Sequence, residues 1–359
     1  MNDAPSRIKG RGAASNPVGR FESTRTEAAD DGWWQEFMPS RPQTSVVDEQ
    51  ARSIISRNDS PDIPFDQSIN PYRGCEHGCI YCYARPTHEY LNLSAGLDFE
   101  TRLTVKSNAA EALQRELAKP GYVVSPINLG ASTDPYQPIE RRYTITRKII
   151  EVLARVRHPL SIVTKNALVV RDIDLLAPMA LAGLAQVFIS VTTLDNHLAS
   201  QLEPRASAPH ARLRAVAELA AAGIPVGVFV APVIPAISDS ELEAVMAAAR
   251  EAGATTISYT LVRLPYQVAP LFREWLDVHF PQRAGHVMSL IQQMRGGRDN
   301  DPRFGSRMKG EGLFADLLKR RFEITRKRLG FASRDERIEL RCDLFRPPRP
   351  PSAQGDLFG

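Results

Sequence analysis

The sequence predicts an α/β fold, a partial (β/α)6 TIM-like barrel with an N-terminal arm and a small helical C-terminal extension. Three observations predict it. From about residue 67, short apolar β-like runs alternate with stretches of helical period, which implies a parallel sheet covered by helices. Six such units recur. The length of 359 residues accommodates one barrel with appendages.

Residues 1–64 are rich in Gly, Pro, Ser and charge and are expected to form an irregular arm partly packed on the main domain. Gly10-Arg11-Gly12 has no strand before it and reads as a flexible turn rather than a dinucleotide fingerprint. The core, residues 65–284, supplies candidate strands at Ser68–Arg73, Pro126–Gly130, Ser161–Thr164, Val187–Thr192, Pro225–Ala231 and Thr255–Tyr259. Helices are expected over Ala109–Lys119, Arg147–Val156, Asp172–Leu181, His210–Ala222 and Ser240–Glu251. Gly223 stands where a C-cap belongs, and Ser238 or Asp239 can cap the next helix.

Residues 285–345 read as a basic helical element. Between Arg295 and Arg349, 16 Lys/Arg face 9 Asp/Glu. Lys319-Arg320-Arg321 and Arg326-Lys327-Arg328 can neutralise phosphates. A solvated helix face is the competing reading. Residues 346–359 read as a disordered Pro-rich tail of polyproline type.

A chain 43% hydrophobic and 24% charged suits a soluble globular protein. No apolar run is long enough for a membrane span, and the first residues lack the apolar core of a signal peptide. The four cysteines are too few and too clustered for a disulfide framework, so a reducing, cytoplasmic location is expected.

Three of those cysteines, Cys75, Cys79 and Cys82, fall in the stretch from Asn70 to Tyr83 as Cys-x3-Cys-x2-Cys. A closed zinc site wants four ligands, usually from paired hooks. A [4Fe–4S] cluster with three protein thiolates leaves one iron open to something else. Gly74 and Gly78 let the loop wrap closely. Because Cys75 directly follows the first candidate strand, the cysteines belong at the strand C-terminal ends, where parallel barrels place their chemistry. The seven histidines show no H-x-x-x-H or H-E-x-x-H pattern, and no Walker A or nucleophile-elbow motif occurs.

The Cys-x3-Cys-x-Tyr-Cys string resembles the signature of radical S-adenosylmethionine (SAM) enzymes, and Cys-Ile-Tyr-Cys-Tyr-Ala is similar to the subgroup containing spore photoproduct lyase. The resemblance runs from about Ser68 to Tyr259 and implies a barrel of radical SAM type. It implies a [4Fe–4S] cluster on Cys75, Cys79 and Cys82 whose open iron chelates the amino and carboxylate groups of SAM. An electron from an external donor then cleaves SAM to methionine and a 5′-deoxyadenosyl radical. Tyr81 would lie against the adenine, and Tyr83 would relay a hydrogen atom; core packing is the plain alternative for each.

By the same resemblance, Ser132, Thr133 and Asp134 at the second strand end would meet the methionine ammonium, against a loop-capping role for Asp134. Ser190 and Thr192 would meet ribose hydroxyls and carboxylate, and Arg205 would clamp carboxylate or sit in a surface salt bridge. Lys165 ends the third strand, and the Val228–Pro235 run offers an apolar wall. Where the lyase carries a hydrogen-donating cysteine this chain has Ala131, which leaves Cys342 or Tyr83 as substitutes.

The substrate implied is nucleic acid, in the manner of DNA repair. A peptide or small-molecule substrate is the alternative. A non-enzymatic iron–sulfur or zinc adaptor that docks on the DNA sliding clamp is another, and for the cysteines themselves the plain alternative is a zinc or redox site with Cys342 as a distant fourth ligand. Gln354, Asp356, Leu357 and Phe358 resemble the peptide by which bacterial repair proteins dock on the DNA sliding clamp.

Overall fold

In the computed structural model, which describes residues 8–21, 42–333 and 338–348, ten strands sort into two sheets. They are β1 (Ser45–Asp48), β2 (Ile55–Arg57), β3 (Gln67–Ile69), β4 (Tyr72–Arg73) and β5 (Arg102–Val105). The chain continues with β6 (Ile127–Leu129), β7 (Leu160–Thr164), β8 (Ala185–Ser190), β9 (Val226–Val233) and β10 (Thr256–Leu261).

The main sheet runs β10-β9-β8-β7-β6-β3-β2. Its first six members pair in parallel, and β2 adds an antiparallel edge on β3. The end strands β2 and β10 do not pair, so this is the six-stranded partial barrel expected. One register row, Ile69–Leu129–Ile162–Val187–Val226, is almost wholly buried. That explains why these strands read as continuous apolar runs, since helices cover their outer face. Helices Ala109–Leu117, Ile145–Arg155, Ile173–Leu181, Pro209–Ala221 and Leu242–Glu251 do so. No helix among the described residues is long and apolar enough to cross a membrane.

Three expectations change. The first predicted strand, Ser68–Arg73, is split: β3 joins the main sheet, whereas β4 pairs with β5 in a separate β1-β5-β4 sheet. Pro71 sits at the break, where it has no N–H to give a ladder, and its carbonyl accepts from Lys106 N at 3.1 Å. The N-terminal arm is not wholly irregular, because β1 and β2 lie within it and each borrows a longer-range partner. Ser238 holds the N-cap position of the 3-10 turn Asp239–Glu241 that leads into the next helix, but its side chain does not cap it: Oγ accepts instead from Ile234 N at 3.0 Å, four residues back.

In the basic segment, helices Ala284–Gln293, Ser306–Lys309 and Leu313–Arg328 are present. The last lies beside β10, with Phe322 against Tyr259 (centroids 4.7 Å apart). Gln354, Asp356, Leu357 and Phe358 lie outside the described residues.

Candidate active site

The three cysteines occupy the loop that leaves β4, at the C-terminal end of the main sheet. Cys75 and Cys79 are buried and Cys82 partly so. The loop is wound by its own backbone. Gly78 N donates to Cys75 O (3.3 Å), Cys82 N to Cys79 O (3.1 Å) and Arg85 N to Cys82 O (3.2 Å). Gly74 and Gly78 adopt φ of +73° and +65°, and a Cβ on Gly78 would lie 2.5 Å from Glu100 Oε2. Only glycine takes that conformation in that space.

Two buried ionic groups brace this loop. Arg85 donates to the carbonyls of Cys79 (2.9 Å), Gly78 (3.0 Å), Ala95 (3.0 Å) and Gly96 (2.9 Å) and pairs with Glu100. Glu100 also accepts from Gly12 N (3.0 Å) and Ala13 N (2.9 Å), so the N-terminal arm is strapped across the loop. The flexible-turn expectation for Gly10-Arg11-Gly12 is therefore corrected. A Cβ on Gly12 would stand 1.8 Å from Gly78 O.

On the barrel side, Glu203 organises the site. Its carboxylate accepts from Tyr81 Oη, from Thr192 Oγ1 (2.6 Å) and from Arg212 Nη2. Burial would raise this carboxyl, but Arg212, Lys165 and the two hydroxyls bring it down to about 2. Tyr81 is buried by this network, and Lys165 Nζ lies 5.9 Å from its ring centroid. Ser190 is also buried, its carbonyl accepting from Arg212 Nη1 at 3.0 Å.

Asp134 meets the loop-capping alternative. Its carboxylate accepts from Tyr136 N (2.8 Å), Thr164 Oγ1 (2.7 Å) and Lys165 N (2.7 Å), and faces His77 Nδ1 at 3.3 Å. Those four partners use the roughly four acceptor sites a carboxylate has. The backbone N–H groups of Ser132 and Thr133 donate to Asn70 Oδ1 at 2.8 and 3.2 Å. Arg205 lies one-third exposed with Nη2 3.0 Å from Glu76 Oε1, inside the cysteine loop. Its salt-bridge alternative is the contact present. Tyr83 is half exposed, but its hydroxyl donates to Ala131 O.

Cys342 is elsewhere. Arg341 N donates to Gly183 O (2.9 Å) just before β8, and Arg346 N to Val156 O (2.8 Å) just before β7. Both contacts lie at the N-terminal end of the sheet, opposite the cysteine loop. The described structure thus places Cys342 at the opposite end of the sheet from the cysteine loop.

Sequence reading alone missed Arg212, Glu100, Asn70 and Arg85. Arg212 had a signal: it occupies the buried stripe Pro209, Arg212, Ala215, Val216, Leu219 of its helix. A charge at such a position demands a buried partner.

Against known proteins, the radical SAM superfamily model matches residues 69–249. The chain belongs to the radical SAM superfamily. An uncharacterized protein of Mycobacterium tuberculosis is 38% identical over 233 residues, 64% of this chain and 68% of that one. An uncharacterized protein of Methanocaldococcus jannaschii is 28% identical over 214 residues, 60% of this chain and 76% of that one. Among solved structures, spore photoproduct lyase complexed with dinucleoside spore photoproduct shares the fold. The TM-score is 0.56 at 17% identity over 80% of each chain.

As a radical SAM enzyme the protein uses a [4Fe–4S] cluster and SAM. The donor set fits a cluster. Burial pushes all three thiols up, with Asp134 adding to the effect at Cys75 and Glu203 at Cys79. Soft ligands in such a place surrender their protons to metal charge. A cluster brings its own iron and sulfide and spaces its ligands by its own width.

Proposed function

We propose that this radical SAM enzyme acts on nucleic acid, in the manner of DNA repair. The observation that carries this reading is the helix Leu313–Arg328 beside β10. On it Lys319, Arg320, Lys327 and Arg328 are exposed and make no ion pair among the described residues. Arg321 and Arg326, by contrast, are spent on Glu243 and Glu323. Unpaired cations along one helix face suit a phosphate backbone. The solved neighbour that shares the fold is complexed with a dinucleoside photoproduct, which agrees in substrate class.

In this reading residues 65–284 are the catalytic core and 285–345 the nucleic-acid-facing element. Cys75, Cys79 and Cys82 would hold the cluster, which when bound and reduced supplies the electron that cleaves SAM. Tyr81 would flank the nucleoside, held rigid by Glu203 and Thr192. Ser132, Thr133 and Ser190 would offer hydroxyls to SAM, and Lys165 a cation. Asp134 and Arg205 would position rather than bind, since each is engaged with the cysteine loop. Tyr83 keeps its candidacy as the hydrogen relay, because it follows Cys82 and half its surface is open.

The test is oligonucleotide binding by the anaerobically reconstituted protein across a salt gradient. A steep slope, flattened in the K319E/R320E/K327E/R328E variant, supports the proposal. Salt-insensitive or absent binding favours a peptide or small-molecule substrate. The tail residues Gln354, Asp356, Leu357 and Phe358 would tether the enzyme to the sliding clamp. Pull-down that is equal for wild type and L357A/F358A ends that part of the proposal.

A further inference from the structure

Arg263 follows β10 by two residues, at the same end of the barrel as the cysteines. Its guanidinium carbon lies 5.6 Å from the centroid of the Tyr83 ring. Among the described residues it pairs with no carboxylate. Its hydrogen bond runs from Nη1 to Met308 Sδ at 3.6 Å, a weak acceptor, and the buried Nε has no partner.

The surroundings do not relieve this charge. Asp62 acts on it electrostatically, but that carboxylate is taken by Arg307 through Nε (2.9 Å) and Nη2 (2.6 Å). Arg295 is buried nearby and gives Nη1 and Nη2 to the carbonyls of Val262 (2.8 Å), Ser306 (3.1 Å) and Arg307 (2.7 Å), its own buried Nε likewise having no partner. Burial and the like charge of Arg307 both push the Arg263 guanidinium down. A half-buried guanidinium with no carboxylate partner carries a cost that an incoming anion removes.

We propose that Arg263 receives a phosphate of the substrate, beside Tyr83 at the open side of the barrel. The inference rests on the nucleic-acid reading above and assigns it a residue. Guanidinium presents a planar fork of donors that matches phosphate oxygens two at a time. Exposed rings occur nearby: Tyr83 beside Arg263 itself, Phe304 with Arg307 over its face at 4.6 Å, and, three residues on in the chain, Tyr266 with Arg20 over its face at 3.8 Å. Aromatic faces interleaved with Arg are the surface on which unstacked bases rest. Arg307 and Asp62 also join the C-terminal segment to the N-terminal one across the gap between β10 and β2. The phosphate would therefore enter where the barrel is not closed by strands.

Fluorescence anisotropy of a single-stranded oligonucleotide on the reconstituted holoprotein, paired with thermal melting, tests this. R263M should bind about tenfold more weakly and lower the log K against log salt slope by about one. R263K should recover part of the affinity, lacking the fork. R263M should melt no lower than wild type, because a half-buried charge with no carboxylate partner has been removed.

Unchanged affinity and slope in R263M overturn the role of Arg263 and leave the nucleic-acid reading standing. Weaker binding with a matching fall in melting temperature in both variants assigns Arg263 a structural role instead. If wild type binds no oligonucleotide at any salt, the nucleic-acid reading itself fails and the phosphate proposal falls with it.

Discussion

Gly12 and Gly78 touch backbone to backbone: a Cβ on Gly12 would stand 1.8 Å from the Gly78 carbonyl oxygen. One glycine belongs to the N-terminal arm and the other lies between two cysteines of the cluster loop. Arg85 Nη2 donates to the same Gly78 carbonyl at 3.0 Å, so the oxygen cannot swing aside without breaking a buried contact. G12A should therefore cost about 1–3 kcal/mol by overpacking. It should also lower iron retained per chain after reconstitution. G285A, in a helix with open space around it, is the control and should be neutral or slightly stabilising in melting experiments.

Replacing the thiols separates cluster ligands from a bystander. C75A, C79A and C82A should each bring iron and sulfide content close to zero and abolish SAM cleavage. C342A should keep both at the wild-type level, because that residue lies at the far end of the sheet. Iron analysis and visible absorbance on the four variants check this. Iron loss in C342A equal to that in C75A would overturn the three-cysteine assignment.

Glu203 and Arg212 form a buried pair in which neither charge meets solvent. E203Q leaves Arg212 uncompensated and should cost about 3–5 kcal/mol in denaturant unfolding. The double variant E203Q/R212M should recover much of that loss. The carboxyl is depressed to about 2 in the folded state, against about 4.3 for an unperturbed glutamate. Its contribution is thus complete above pH about 4.3 and is lost as pH falls from there through about 2. Apoprotein unfolding between those limits should show a smaller acid dependence in E203Q/R212M than in wild type.

Asp134 closes loops, so D134A should act on stability more than on SAM affinity. The expected loss is about 1–3 kcal/mol, from donors left unsatisfied at Thr164, Lys165 and Tyr136. SAM affinity measured by calorimetry should fall less than tenfold. A hundredfold loss of SAM binding at unchanged melting temperature would make the carboxylate a direct ligand instead.

Much of the architecture was legible in the chain. The strands β6 to β10 and the helices between them fall within a few residues of their apolar periods, since both faces of a parallel strand are buried. The cysteine loop was legible because ligand spacing is local. The split at Pro71 was also written in the chain, but taking Ser68–Arg73 as one strand masked a change of sheet. The contacts of Glu203 and Glu100 were not legible. Their partners Arg212, Arg85 and Gly12 lie 9, 15 and 88 residues away, and spacing carries no information about which buried charges meet.

By itself the sequence determined the ligand chemistry and the barrel, because both follow from short-range regularities: thiol spacing and the alternation of strand and helix periods. Tertiary structure alone decided which candidates are free to act. It engaged Asp134 with His77 and Arg205 with Glu76 of the cysteine loop, put Cys342 at the opposite end of the sheet, and left Arg263 without a carboxylate partner beside Tyr83. The reason is that a polar group's role depends on whether its hydrogen-bonding capacity is already spent. That is settled by neighbours brought together only when the chain has folded.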